Sequence, residues 1–192
     1  MKIVSEGKNK NTGIIIAIIV IAVVGAAVLT VALLQKAKEN EYRSNLESMV
    51  NAILEGGSEA ETTGNLICNV WDNAISEKRD DETNKYTIKN GKFVEDFNDA
   101  LTNLFEDESY TESVSKIKES RSNVNVLMKQ LRNPPKEYEA VYTDLKELYE
   151  NYLKLTSMVI NPRGSYNEFS EELNKYDMMV LESFEKVDVY LE

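Results

Sequence analysis

The chain of 192 residues carries 33 acidic against 22 basic side chains, a net charge of −11, with no histidine and one cysteine, Cys68. The commonest metal ligand and the commonest general base near neutral pH are therefore missing, and one thiol can form neither an intrachain disulfide nor a thiolate zinc site. So acidic a chain repels nucleic acid, and no nucleic-acid partner is expected.

Residues 1–12 form a short basic tail, in which Lys2, Lys8 and Lys10 face Glu6. Gly13–Leu34 follows, 22 residues without a charge, of which 14 are Ile, Val or Leu. As a helix it extends about 33 Å, against a bilayer hydrocarbon core of about 30 Å. Each of those 14 side chains favours the bilayer centre by about 0.3–0.6 kcal/mol. The expectation is a transmembrane helix and a lipid-bilayer partner through Gly13–Leu34. A cleaved signal peptide would have a shorter apolar region, of about 7–15 residues.

Orientation is balanced on the cation count, because Lys36, Lys38 and Arg43 follow the apolar run as Lys2, Lys8 and Lys10 precede it. A short tail ahead of a first anchor favours the N-terminus inside and the acidic part outside. Ala22, Ala26 and Thr30 share a four-residue spacing that suits helix pairing and equally suits ordinary lipid-facing positions.

Residues 35–45 are read as a juxtamembrane stalk and 46–192 as a helical bundle domain. Leu46, Val50, Ile53, Gly57, Ala60, Gly64, Ile67, Trp71 and Ala74 step by three or four, which predicts one long helix. Gly56, Gly57 and Gly64 weaken that helix by about 1 kcal/mol each relative to Ala, but small inward residues admit a close neighbour. Glu77–Gly91, charged and closed by Asn90-Gly91, predicts a loop.

A second helix is expected from Lys92. Its apolar face changes phase after Leu104, which predicts a kink or break near Asp107–Ser109, with Ser109 and Glu112 as a capping box. Asn133-Pro134-Pro135 ends it. A third helix then runs to about Ile160, and Asn161-Pro162-Arg163-Gly164 is the next stop. Ser165 and Glu168 make a second capping box ahead of the last amphipathic helix. The predicted fold class is all-α: an N-terminal transmembrane helix followed by an antiparallel up-down-up-down four-helix bundle with a kink or break in its second helix.

No grouping of residues names a reaction, so the chain is expected not to be an enzyme. No catalytic, cofactor-binding or metal-ligating residue is nominated, and no cofactor. Carboxylate pairs such as Asp80-Asp81, Glu106-Asp107-Glu108 and Glu171-Glu172 arise by chance in so acidic a chain, and none has calcium-loop or Glu-x-x-His spacing. Gly56-Gly57 and Gly64 lack the other parts of a phosphate loop. The ten tyrosines could line a groove for a peptide or glycan, although their helical spacing suits a half-buried core equally. Cys68 reads as a small apolar residue in a helix.

Four stretches carry a resemblance: Asn65 to Ile75 (NLICNVWDNAI), Asp96 to Leu101 (DFNDAL), Asn133 to Tyr138 (NPPKEY) and Asn161 to Ser165 (NPRGS). Together they resemble uncharacterised single-pass membrane-anchored helical surface proteins of Gram-positive bacteria. The resemblance implies an anchored helical domain over about Gln35–Glu192 and no site residues. The expected function is a membrane-anchored acidic bundle, a cell-surface interaction or scaffold module whose partner is a protein or cell-envelope component, with an extracytoplasmic C-terminal domain at the cell membrane. The alternative is a ligand-sensing bundle acting through a partner protein.

Overall fold

The computed structural model describes the backbone of residues 10–191 and the side chains of residues 29–191. Helix α1 covers Lys10–Ile75. A short helix α2 (Asn84–Thr87), a two-stranded hairpin of β1 (Ile88–Lys89) and β2 (Lys92–Phe93), and helix α3 (Phe97–Phe105) come next. The rest is α4 (Glu108–Gln130), a 3-10 turn (Lys136–Tyr138), α5 (Glu139–Ile160) and α6 (Tyr166–Asp188). The described chain is thus all-α apart from the hairpin.

By internal contacts the chain forms two compact units, Met1–Glu41 and Tyr42–Glu192. In the first, the described side chains of 29–41 are exposed except for half-buried Glu39. The second is a helical bundle. Residues 42–75 of α1 run against α4: the Tyr42 hydroxyl donates to the Leu131 carbonyl (3.3 Å) and Ser120 Oγ to the Ala52 carbonyl (3.0 Å). The Tyr138 ring, just ahead of α5, lies 4.9 Å from that of Tyr42, so α5 runs alongside α1. Helix α6 returns, with Phe169 6.2 Å from Trp71 at one end and the Leu191 carbonyl accepting from Arg43 (2.7 Å) at the other.

The core is the merged apolar stripe of these helices, with Leu46, Ile53, Ile117, Leu148, Leu155 and Phe169 among its fully buried members. Each such side chain contributes about 1.5–3 kcal/mol by leaving water. Among the described residues no buried side-chain nitrogen or oxygen lacks a hydrogen-bond partner.

The expected architecture needs correction in three places. First, the predicted transmembrane helix is not a separate element: α1 passes through Leu34 without a break, because Gln35-Lys36-Ala37-Lys38-Glu39 are all good helix formers. Among the described residues no helix is long and apolar enough to cross a membrane. Residues 13–28 of the stretch Gly13–Leu34 lie outside those whose side chains are described.

Second, the segment from Glu77 to Phe93 is no plain loop running into a helix at Lys92. It holds α2 and the hairpin, in which Ile88 pairs with Phe93 and Lys89 with Lys92. Asn90 and Gly91 take φ of 55° and 79°, as a two-residue hairpin turn twisted like its strands requires. Helix α3 starts only at Phe97, where Asp96 accepts from the Asn98 amide (2.8 Å).

Third, the kink or break expected near Asp107–Ser109 is a full break between α3 and α4, but the expected Ser109–Glu112 capping box does not start α4. The capping residue is Asp107, accepting from the Ser109 amide (3.0 Å), and Ser109 lies inside α4. At the last corner Ser165 Oγ accepts from the Glu168 amide (3.3 Å) and Glu168 accepts from the Ser165 amide (2.9 Å), a capping box that starts α6. Helix α1 continues through Gly56, Gly57 and Gly64.

Candidate functional site

A cleft of about 680 Å³ lies at the bundle end where α1 finishes, α3 begins and the α5–α6 corner turns. Trp71 forms its floor, 6% exposed on the last inward turn of α1. Proline 162 stops α5, and Gly164, at φ +87°, reverses the chain, which sets Tyr166 6.1 Å from Trp71 with the rings edge to face. From the opposite wall Phe97, in the first turn of α3, stacks on Trp71 at 6.0 Å and 27°. Such offset and edge-on pairs are the favoured aromatic geometries.

The cleft remains partly open. Ile75 is 54% and Phe97 37% exposed, an apolar rim left without a cover. Most polar lining groups are already engaged: Asn98 Nδ2 donates to Asp96 (2.8 Å), Thr102 Oγ1 to the Asn98 carbonyl (2.8 Å), and Ser165 belongs to its capping box. Arg163 is the one charged residue lining it. Burial pushes the Tyr166 phenol up, aided by the nearby Asp72 carboxylate and the Cys68 thiol. The arrangement suits an apolar group entering from outside. Its hydroxyl–carboxylate contact, Ser165 Oγ donating to Glu168 at 3.0 Å, belongs to the capping box.

The residues weighed from sequence lie elsewhere. Asp80 closes its own loop by accepting from the amides of Glu82 (3.0 Å) and Thr83 (3.3 Å). Asp107 caps α4, and the Ser109 hydroxyl, then Lys85 at 3.0 Å, hold its carboxyl down at about 2. Among the described residues no three His, Cys, Asp or Glu side chains cluster as a metal site. Cys68 is half-buried on α1, and desolvation raises its thiol. Tyr42, Tyr86, Tyr110 and Tyr152 belong to the core.

By its spacing Phe97 falls on the face shared by Ala100, Leu101 and Leu104, and the sequence reading passed over Ile75. The available signal was that Ile75 stands four residues after Trp71, so the two share a helix face at the very end of α1. Comparison with protein families, with curated proteins and with solved structures gives no match.

Proposed function

We propose that this protein is an interaction module held at the cell-membrane surface by its apolar stretch Gly13–Leu34, and that the Trp71 cleft receives an apolar side chain of a partner protein. The observation that carries the reading is the exposed pair Ile75 and Phe97 on a preformed aromatic floor. Apolar area left open beside a concave, rigid site is the usual mark of a recognition surface. Membrane association is supported by the amino-acid sequence, 22 uncharged residues in a row. The same bundle, exposed outside the cell, fits the group of anchored surface proteins that the chain resembles.

The test is site-specific photocrosslinking on intact cells. A photoreactive residue at Ile75 should yield a discrete protein adduct, and the same residue at exposed Lys118 should not. No adduct at Ile75, or equal adducts at both positions, defeats the reading.

A second reading has its own support, because a cleft of about 680 Å³ falls within the range of small-molecule pockets. A ligand-sensing bundle would bind a metabolite there and signal through a partner protein. Trp71 is the only tryptophan, so its fluorescence reports occupancy, and a saturable change with a small metabolite would favour sensing.

A further inference from the structure

A second groove, of about 270 Å³, lies between the end of α4 and the first half of α5. Its charged lining is Lys129, Arg132 and Lys146 against the single carboxylate of Glu150. That balance runs opposite to the chain as a whole, with 33 acidic and 22 basic side chains. Among the described residues none of the three cations is ion-paired.

Basic side chains near a helix C-terminus ordinarily serve its exposed carbonyls. Here one of those carbonyls is already served, since the Tyr42 hydroxyl donates to the Leu131 carbonyl at 3.3 Å. Neither Lys129 nor Arg132 donates to α4 among the described hydrogen bonds. The Lys146 ammonium stands 5.2 Å from the centre of the Tyr142 ring, which steadies it at the groove without neutralising it. Asn125 lines the groove too, and its Oδ1 accepts from the Tyr149 hydroxyl. That bond fixes the amide so that its NH2 group is left to donate.

We propose that this groove binds a phosphate group, with Arg132 as a planar fork, Lys129 and Lys146 as point charges and Asn125 as a neutral donor. Three cations and one carboxylate leave a charge of +2 on the lining, which matches the roughly −1.5 to −2 of a phosphate monoester near pH 7. A phosphodiester, with one charge, matches it less well. The ligand is therefore inorganic phosphate or a phosphate monoester, and the rival source of the same chemistry is the diester headgroup of a phospholipid.

The test uses the full-length isotope-labelled chain and follows backbone amide shifts of residues 125–150 at constant ionic strength. Inorganic phosphate is titrated in one arm and glycerophosphoglycerol, a water-soluble lipid headgroup, in the other. Saturable shifts are expected with inorganic phosphate at the lower concentration. Arg132→Gln and Lys146→Gln should each weaken binding about tenfold, the loss expected for one charge-assisted hydrogen bond, and Lys175→Gln should leave it unchanged. Saturation at lower concentration with glycerophosphoglycerol supports the phosphate site but assigns it to a headgroup. Shifts that never saturate, or that all three variants reduce alike, overturn the proposal.

Discussion

At the residue scale, adjacent glycines on α1 do different work. A Cβ on Gly56 would collide with Ser120 Oγ and lie 2.5 Å from the Tyr152 hydroxyl, whereas one on Gly57 would meet nothing within 4 Å. The Ser120–Tyr152 hydrogen bond (2.8 Å) fills the space that Gly56 leaves. Gly56→Ala should therefore destabilise the bundle by about 1–3 kcal/mol, the usual penalty of overpacking. Gly57→Ala should instead stabilise it by up to about 1 kcal/mol, the helix-propensity gain alone. Urea midpoints of the two variants provide the check. Periodicity had put Gly57 on the inward stripe, yet Gly56 makes the close approach, because a register of three and four residues blurs by one position over a long helix.

Titration adds a second prediction at this scale. Burial pushes the phenols of Tyr42 and Tyr110 up to about 12 from the ordinary 10.0, with Tyr142 and Tyr138 contributing at Tyr42. The folded chain then holds these protons more tightly than the unfolded chain does. Their stabilising contribution is complete below pH 10 and is lost as pH rises towards about 12. Stability measured across that range should fall, and Tyr110→Phe, which removes a group shifted by burial alone, should make the fall shallower.

At the element scale, the starts of helices decide what was readable. Ser165 and Glu168 were legible because both halves of the capping box are side chains at a fixed spacing. Ser109 and Glu112 have the same spacing, but Asp107 lies two residues earlier and its carboxylate, pinned by Lys85, captures the start of α4. A long-range ion pair of this kind has no local sequence signature. Asp107→Ala should cost about 0.5–2 kcal/mol, the ordinary value of a lost cap, and Ser109→Ala should cost less. With the carboxyl held at about 2 against an ordinary 3.8, the contribution is whole above 3.8 and disappears as pH falls through about 2. The stability gap between wild type and Asp107→Ala, followed on acidification, should close over that interval. The hairpin was also within reach, since Asn90-Gly91 is the strongest short turn signal, but two-residue strands are too short to show alternation.

At the scale of the whole molecule, helix content and the prolines and glycines at corners were legible, because apolar periodicity and stop residues are local. The Trp71 cleft was not, since its walls come from α1, α3 and the α5–α6 corner, far apart in the chain. The two compact units make the proposed lipid association testable apart from bundle folding. Fourteen Ile, Val and Leu residues in Gly13–Leu34 favour lipid by roughly 4–8 kcal/mol in all, whereas one lysine near the centre of such a stretch costs about 2.5–3.5 kcal/mol. Two lysines, as in Ile18→Lys with Val24→Lys, should therefore nearly cancel the preference. Full-length protein should stay with membranes through an alkaline carbonate wash, and the double variant should appear in the supernatant. Because neither position belongs to Tyr42–Glu192, the variant's unfolding midpoint should equal that of the parent. Parent protein released by the wash would remove the bilayer from the proposal and leave the cleft as its only support.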